Sequence, residues 1–192
     1  MIHYGKQSIN QDDIDAVVDV LRSDFLTQGP KAVEFENNLA SYCGAQYAKV
    51  VNNGTAALHL AYLALDLRKG DVVWTTPNTF VATANAALYC GATVSFVDIN
   101  PKTYNLSVDC LKEKLIQAKK DNKLPKLVVP VHFSGQSCEM KDIWALSKEY
   151  GFKVVEDACH ALGGEYLDRK VGCCEYSDMA VFSFHPVKMI TT

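Results

Sequence analysis

Two residues of this 192-residue chain are best suited to chemistry. One is the lysine of Ser183-Phe184-His185-Pro186-Val187-Lys188. The other is the aspartate of Glu156-Asp157-Ala158-Cys159-His160. A lysine that is partly desolvated loses basicity, and its neutral amine condenses with a carbonyl to form a Schiff base. A buried carboxylate pairs with a protonated ring nitrogen and keeps that ring electron-withdrawing. A third feature, Asn53-Gly54-Thr55-Ala56-Ala57, opens a helix straight after an apolar run. The unpaired amides of Gly54, Thr55 and Ala56 and the Thr55 hydroxyl form a ready cradle for a phosphate. A glycine there lets the anion approach closely. Ser183 offers a further hydroxyl, Phe80 a face to stack on a flat ring, and His160 a hydrogen bond to a ring oxygen.

Each of these residues also has a plainer reading. Asn53-Gly54-Thr55 reads as a capped helix start and Asp157 as a turn or capping aspartate. Phe80 reads as a core phenylalanine and His160 as a satisfied core histidine. Ser183 reads as a serine bonded to backbone at a strand end, and Lys188 as a solvated lysine. Glu156, on the opposite face of its strand from Asp157, reads as structural. Spacing alone leaves these alternatives open. The glycine run is neither a GxGxxG turn nor a Walker loop, so it implies no dinucleotide or ATP site.

The elements that would position these groups alternate along the chain. Apolar, β-branched runs at Tyr47–Val51, Asp71–Thr75, Thr93–Val97, Lys126–Val131, Phe152–Val155 and Asp178–Phe184 predict strands. Helical patterns lie between most of them, at Gly54–Leu67 and near 79–89, 108–120 and 139–149. Before them, Ile14, Val17, Val18 and Leu21 form an amphipathic stripe, Leu26 to Pro30 breaks it, and a second helix stops at Gly44. The stretch from Gly163 to Glu175 departs from the alternation and predicts a small hairpin. The expected fold class is therefore α/β, a mostly parallel sheet sandwiched by helices. Ligands of such sheets collect beyond the carboxyl ends of the strands. Asn53, Thr76 to Phe80, Asp98, His132, Glu156 to His160 and Ser183 to Lys188 all follow predicted strands, so they share one rim.

Composition is that of an ordinary globular protein, with 48% hydrophobic and 21% charged residues and a formal net charge of −3. No basic cluster points to nucleic acid, and no apolar run has the ~20 residues of a membrane helix. The start Met1 to Lys6 has no signal-peptide core, so a cytoplasmic location is expected. Seven scattered cysteines suit a reducing compartment, and the adjacent Cys173-Cys174 suits neither a disulfide framework nor a zinc site.

Four motifs occur in order: Asn53 to His59, Thr76 to Thr83, Glu156 to Gly163 and Phe182 to Lys188. Together they resemble the DegT/StrS-type sugar aminotransferases, pyridoxal-phosphate (PLP) enzymes of fold type I. Ile9 to Ile14, Leu26 to Pro30 and Pro130 to Gln136 narrow the resemblance to members acting in pseudaminic-acid-type pathways of bacterial surface sugars. The resemblance implies that Lys188 holds PLP covalently and shuttles the proton, while Asp157 pairs with the ring nitrogen. It implies that Phe80 packs on the ring, that Gly54, Thr55, Ala56 and Ser183 hold the phosphate, and that His160 lies by the ring oxygen. Tyr4 and the loop Leu26-Thr27-Gln28-Gly29 would approach the substrate. The implied reaction moves an amino group from an amino acid, L-glutamate, to C4 of a UDP-linked 4-keto-6-deoxy-N-acetylhexosamine, in a homodimer. Two alternatives follow. One is a sugar dehydratase of the same fold, though such relatives carry His where this chain has Lys188. The other is an inactive or regulatory fragment. Residues 1–192 are expected to form the large PLP-binding domain, with an N-terminal helix and loop over 1–30. The domain would be incomplete at its C-terminus and lack the smaller C-terminal domain of the family.

Overall fold

A computed structural model describes residues 7–192. Asn10 starts α1 (Gln11–Arg22) with a reciprocal capping box to Asp13, as its acidic first turn favours. Pro30 opens α2 (Pro30–Cys43), which ends on Gly44 in the left-handed conformation. The alternating part follows: α3 (Gly54–Ala64), β1 (Val72–Thr75), α4 (Ala82–Tyr89), β2 (Thr93–Phe96), α5 (Val108–Lys120) and β3 (Leu127–Val129). A single 3-10 turn (Phe133–Gly135) leads to α6 (Met140–Tyr150) and β4 (Lys153–Asp157). The hairpin strands β5 (Glu165–Tyr166) and β6 (Arg169–Lys170) precede β7 (Met179–Val181).

Five strands form one parallel sheet in the order β2-β1-β3-β4-β7, and β5 and β6 pair separately. Successive residues of a strand face opposite sides, and here both sides are covered. Val73, Val129, Val155 and Val181 pack with Leu58 and Tyr62 of α3 and Ala86 of α4. Their neighbours Trp74, Val128 and Val154 pack with Leu111 and Leu115 of α5 and Ile143 and Leu146 of α6. The mostly parallel, helix-covered sheet expected from the alternation is thus present.

Two expectations are corrected. Tyr47–Val51 is not a strand of the sheet. Its composition favours a strand, but β propensity is realised only against a neighbour, and no described strand pairs with it. The Val50 amide instead donates to Glu36 Oε1 at 3.0 Å, and Tyr47 is 78% exposed. The last strand is three residues long rather than the seven of Asp178–Phe184, because beyond Val181 the chain leaves the sheet to carry Ser183 to Lys188. The stripe on α1 is present, yet Ile14, Val17 and Leu21 are exposed and no α1 residue is buried.

Candidate active site

Asp157 is the last residue of β4 and is held from both sides. Its amide donates to Pro130 O at 2.9 Å, its carbonyl accepts from the His132 amide at 3.1 Å, and the next amide, of Ala158, reaches Val181 O at 2.9 Å. The side chain is only 5% exposed. A buried carboxylate needs donors, and it has two. The Thr83 hydroxyl donates to Oδ2 at 2.6 Å and the Cys159 amide to Oδ1 at 3.3 Å. Burial, and then the nearby Asp157 charge, push the Cys159 thiol far above its usual range, so it stays neutral beside the site. Glu156 points away, as expected from alternation. It meets His132 Nε2 at 2.7 Å and takes the Ser177 hydroxyl. His132 Nδ1 accepts the Cys138 amide at 3.0 Å, so the ring proton facing Glu156 sits on Nε2.

Next to Asp157 lies the start of α3. Asn53 caps it by accepting the Ala56 amide at 2.8 Å. This commits the Ala56 amide to the cap, whereas those of Gly54 and Thr55 have no acceptor among the described residues. Ser183, just past β7, faces the same turn. A Cβ built on Gly54 would lie 3.5 Å from Ser183 Cβ, 3.7 Å from Ser183 Oγ and 3.7 Å from Cys159 Sγ. Two amides and a hydroxyl therefore converge on a space that a glycine keeps clear. This is the donor set an anion takes at a helix N-terminus.

The Ser183-to-Lys188 segment is anchored by Phe184, whose ring meets Phe35 of α2 edge-on at 5.0 Å, and by a turn in which the Lys188 amide donates to His185 O at 2.8 Å. The Lys188 amine reaches His160 Nε2 at 2.8 Å. An ammonium has no lone pair, so His160 is the acceptor and its Nε2 carries no proton. Desolvation, and then the Lys188 charge, push His160 below its ordinary value, with Asp157 opposing; the ring is held neutral. Behind it, Gly135 adopts φ +89°, and a Cβ there would lie 2.8 Å from His160 O. Only glycine lets the 3-10 turn press against the His160 loop.

Phe80 settles one choice left open by the sequence. It is 70% exposed, so it is not a core residue. Its carbonyl lies 3.0 Å from the Thr83 hydroxyl, which ties it to the Asp157 cluster. The loop Leu26-Thr27-Gln28-Gly29 is on the surface and turns through Gln28 at φ 52°. No hydrogen bond among the described residues joins it to Asp157 or Lys188. Tyr4 lies outside the described residues. Sequence reasoning missed Thr83, Thr79 and Tyr62 as parts of the site. Thr79 lies in the turn before α4 and Thr83 inside that helix, and Thr83 meets Asp157 across 74 residues, a pairing that no local pattern announces. No helix of the described residues is long and apolar enough to cross a membrane, and all seven cysteines are free thiols.

The chain is similar to known proteins over almost its whole length. The chain is 46% identical over 192 residues to a UDP-4-amino-4,6-dideoxy-N-acetyl-beta-L-altrosamine transaminase of Campylobacter jejuni, covering 100% of this chain and 49% of the relative. It is 40% identical over 189 residues to the spore coat polysaccharide biosynthesis protein SpsC of Bacillus subtilis, covering 98% and 46%. Among solved structures, Helicobacter pylori PseC, an aminotransferase of pseudoaminic acid biosynthesis, superposes with a TM-score of 0.90 at 37% identity. That match covers 98% of this chain and 49% of the other. The Streptococcus pneumoniae sugar aminotransferase Spr1654 in its PLP form gives 0.87 at 29% identity, covering 99% and 50%. The chain spans about half the length of the curated relatives it matches. The model of the DegT/DnrJ/EryC1/StrS aminotransferase family matches residues 7–192, and the chain belongs to that family.

Proposed function

We propose that this chain is the cofactor-holding part of a PLP-dependent aminotransferase. In this reading it moves an amino group from L-glutamate to C4 of a UDP-linked 4-keto-6-deoxy-N-acetylhexosamine, as a cytoplasmic homodimer. One observation carries the reading: an amine (Lys188), a buried carboxylate (Asp157) and a two-amide anion cradle (Gly54, Thr55) stand on one rim of the sheet. Those three groups match the aldehyde, the ring nitrogen and the phosphate of PLP. The name printed for the Campylobacter jejuni relative supports the sugar assignment, and the PLP form of Spr1654 supports the cofactor.

When bound, PLP supplies an electron sink that acidifies the α-proton of the donor amino acid. The protein's residues do the rest. Gly54, Thr55 and Ser183 anchor the phosphate, the Ala56 amide acting indirectly by fixing the cap. Phe80 covers one face of the ring. Asp157, held by its two donors, keeps a proton on the ring nitrogen. Lys188 would hold the cofactor through its amine and would serve as the proton carrier of the site. His160, which receives the Lys188 amine, would stand by the ring oxygen of the bound cofactor.

The test is a two-stage reaction with purified protein and PLP. L-glutamate alone should yield 2-oxoglutarate and convert PLP to pyridoxamine phosphate. Added UDP-4-keto sugar should then return as the 4-amino sugar. A deoxygenated sugar would instead make the protein a dehydratase, and PLP uptake without either half-reaction would leave a non-catalytic fragment.

A further inference from the structure

The carboxylate of Asp157 ends a chain of hydroxyl groups that reaches back toward the rim. Thr79 Oγ1 lies 2.7 Å from Thr83 Oγ1, and Thr83 Oγ1 lies 2.6 Å from Asp157 Oδ2. Thr83 Oγ1 is also 3.0 Å from Phe80 O. A hydroxyl has one hydrogen to give. Of its two acceptors the carboxylate is charged and closer, so the Thr83 hydrogen goes to Asp157. Thr83 then has lone pairs to spare, and the Thr79 hydroxyl donates into one of them. The chain has one direction, Thr79 to Thr83 to Asp157, and each bond polarises the next.

The backbone under this chain is fixed as well. Tyr62, fully buried in α3, donates its hydroxyl to Thr83 O at 2.9 Å. Burial, and then the Asp157 charge, push the Tyr62 phenol well above its ordinary value, so it remains a donor at any working pH. Thr83 is itself wholly buried. From the other side the Cys159 amide holds Oδ1. The plane of the Asp157 carboxylate is therefore gripped at both oxygens by groups from two different crossover segments.

We infer that Thr83 is a positioning residue for the reaction, with Thr79 behind it: the two hydroxyls set the orientation of the Asp157 carboxylate toward the ring nitrogen of the cofactor. The inference rests on the reading of Asp157 as that nitrogen's partner. A methyl in place of the Thr83 hydroxyl leaves the carboxylate free to turn about its last bond, and the ring nitrogen loses an aligned acceptor.

The experiment uses the full 192-residue chain with PLP labelled by 15N at the ring nitrogen. Wild type, Thr83→Val, Thr83→Ser and Thr79→Ala are compared by PLP titration and by the 15N shift across pH. Thr83→Val should weaken PLP binding severalfold and lower the pH at which the ring nitrogen deprotonates by about one unit, a tenfold change in that proton's affinity. Thr83→Ser should restore both. Thr79→Ala changes a half-buried side chain, leaves the fold intact and should move both readouts in the same direction by less. A purely structural role would lower melting temperature without moving the 15N midpoint of the loaded protein. Should Thr83→Val not fold, Thr79→Ala carries the test, and an unchanged 15N midpoint there overturns the inference. An unchanged midpoint in folded Thr83→Val overturns it too, while wild type still loads on Lys188 and the proposed function stands. If wild type takes up no PLP, the proposed function fails and the inference falls with it.

Discussion

Gly54→Ala separates the cradle from the fold it sits on. The new methyl would make ordinary contacts, 3.5 Å to Ser183 Cβ and 3.7 Å to Ser183 Oγ and Cys159 Sγ, so nothing has to shift. Gly54 is the first residue of α3, where alanine is the better helix former. Removing a glycine also reduces the freedom of the unfolded chain. The substitution should therefore be neutral or stabilising by up to ~1 kcal/mol, a rise of at most about 4 °C in melting temperature. The same methyl occupies the space in which an anion would meet the Gly54 and Thr55 amides. Losing one charge-assisted bond is worth ~1.5–3 kcal/mol, so PLP affinity should fall by roughly 10- to 100-fold. The assay is PLP titration by absorbance beside thermal unfolding of the PLP-free protein. Wild-type affinity in Gly54→Ala would refute the cradle. A large loss of stability would refute the stated contacts.

Further outcomes follow from the same geometry. His160 lies below its ordinary value of 6.5 in the folded protein, so its contribution to stability is fully present above that pH and is lost as pH falls through the lowered folded value. Unfolding midpoints measured from pH 7.5 down to 5 should drop less steeply in His160→Gln than in wild type, and parallel curves would contradict this. Gly172 holds φ +90°, and a Cβ there would sit 2.7 Å from the Phe182 ring, so Gly172→Ala should cost at least ~1–3 kcal/mol by denaturant unfolding. Leu111 is fully buried between α5 and the sheet, and Leu111→Ala should cost ~2–5 kcal/mol in the same assay; a loss below about 1 kcal/mol would place it outside a packed core.

The sheet was legible because its central strands β1, β3 and β4 are buried on both faces and read as short apolar runs between helical patterns. Val73 and Trp74, or Val154 and Val155, show no alternation in the sequence because each member of the pair meets a different layer of helices. Tyr47–Val51 carries the same local signal, but a strand needs a partner as well as a propensity. The amphipathic stripe of α1 likewise marks a helix without saying what covers it. The rim residues were legible as types at strand ends. Their neighbours were less so: Phe80 looked like any core phenylalanine until its exposure was known, and the Ala56 amide looked available until Asn53 was seen to take it. Thr83 and Tyr62 were invisible as site residues because a hydroxyl inside an apolar helix announces nothing until the fold brings a carboxylate to it.

Every other role proposed for the site depends on the amine of Lys188 condensing with the cofactor's aldehyde. Borohydride reduction of the PLP-incubated chain, followed by peptide mass spectrometry, should place one pyridoxyl adduct on Lys188 and should find none in Lys188→Ala. An adduct of the same yield in Lys188→Ala, or one carried by another lysine in wild type, would contradict it.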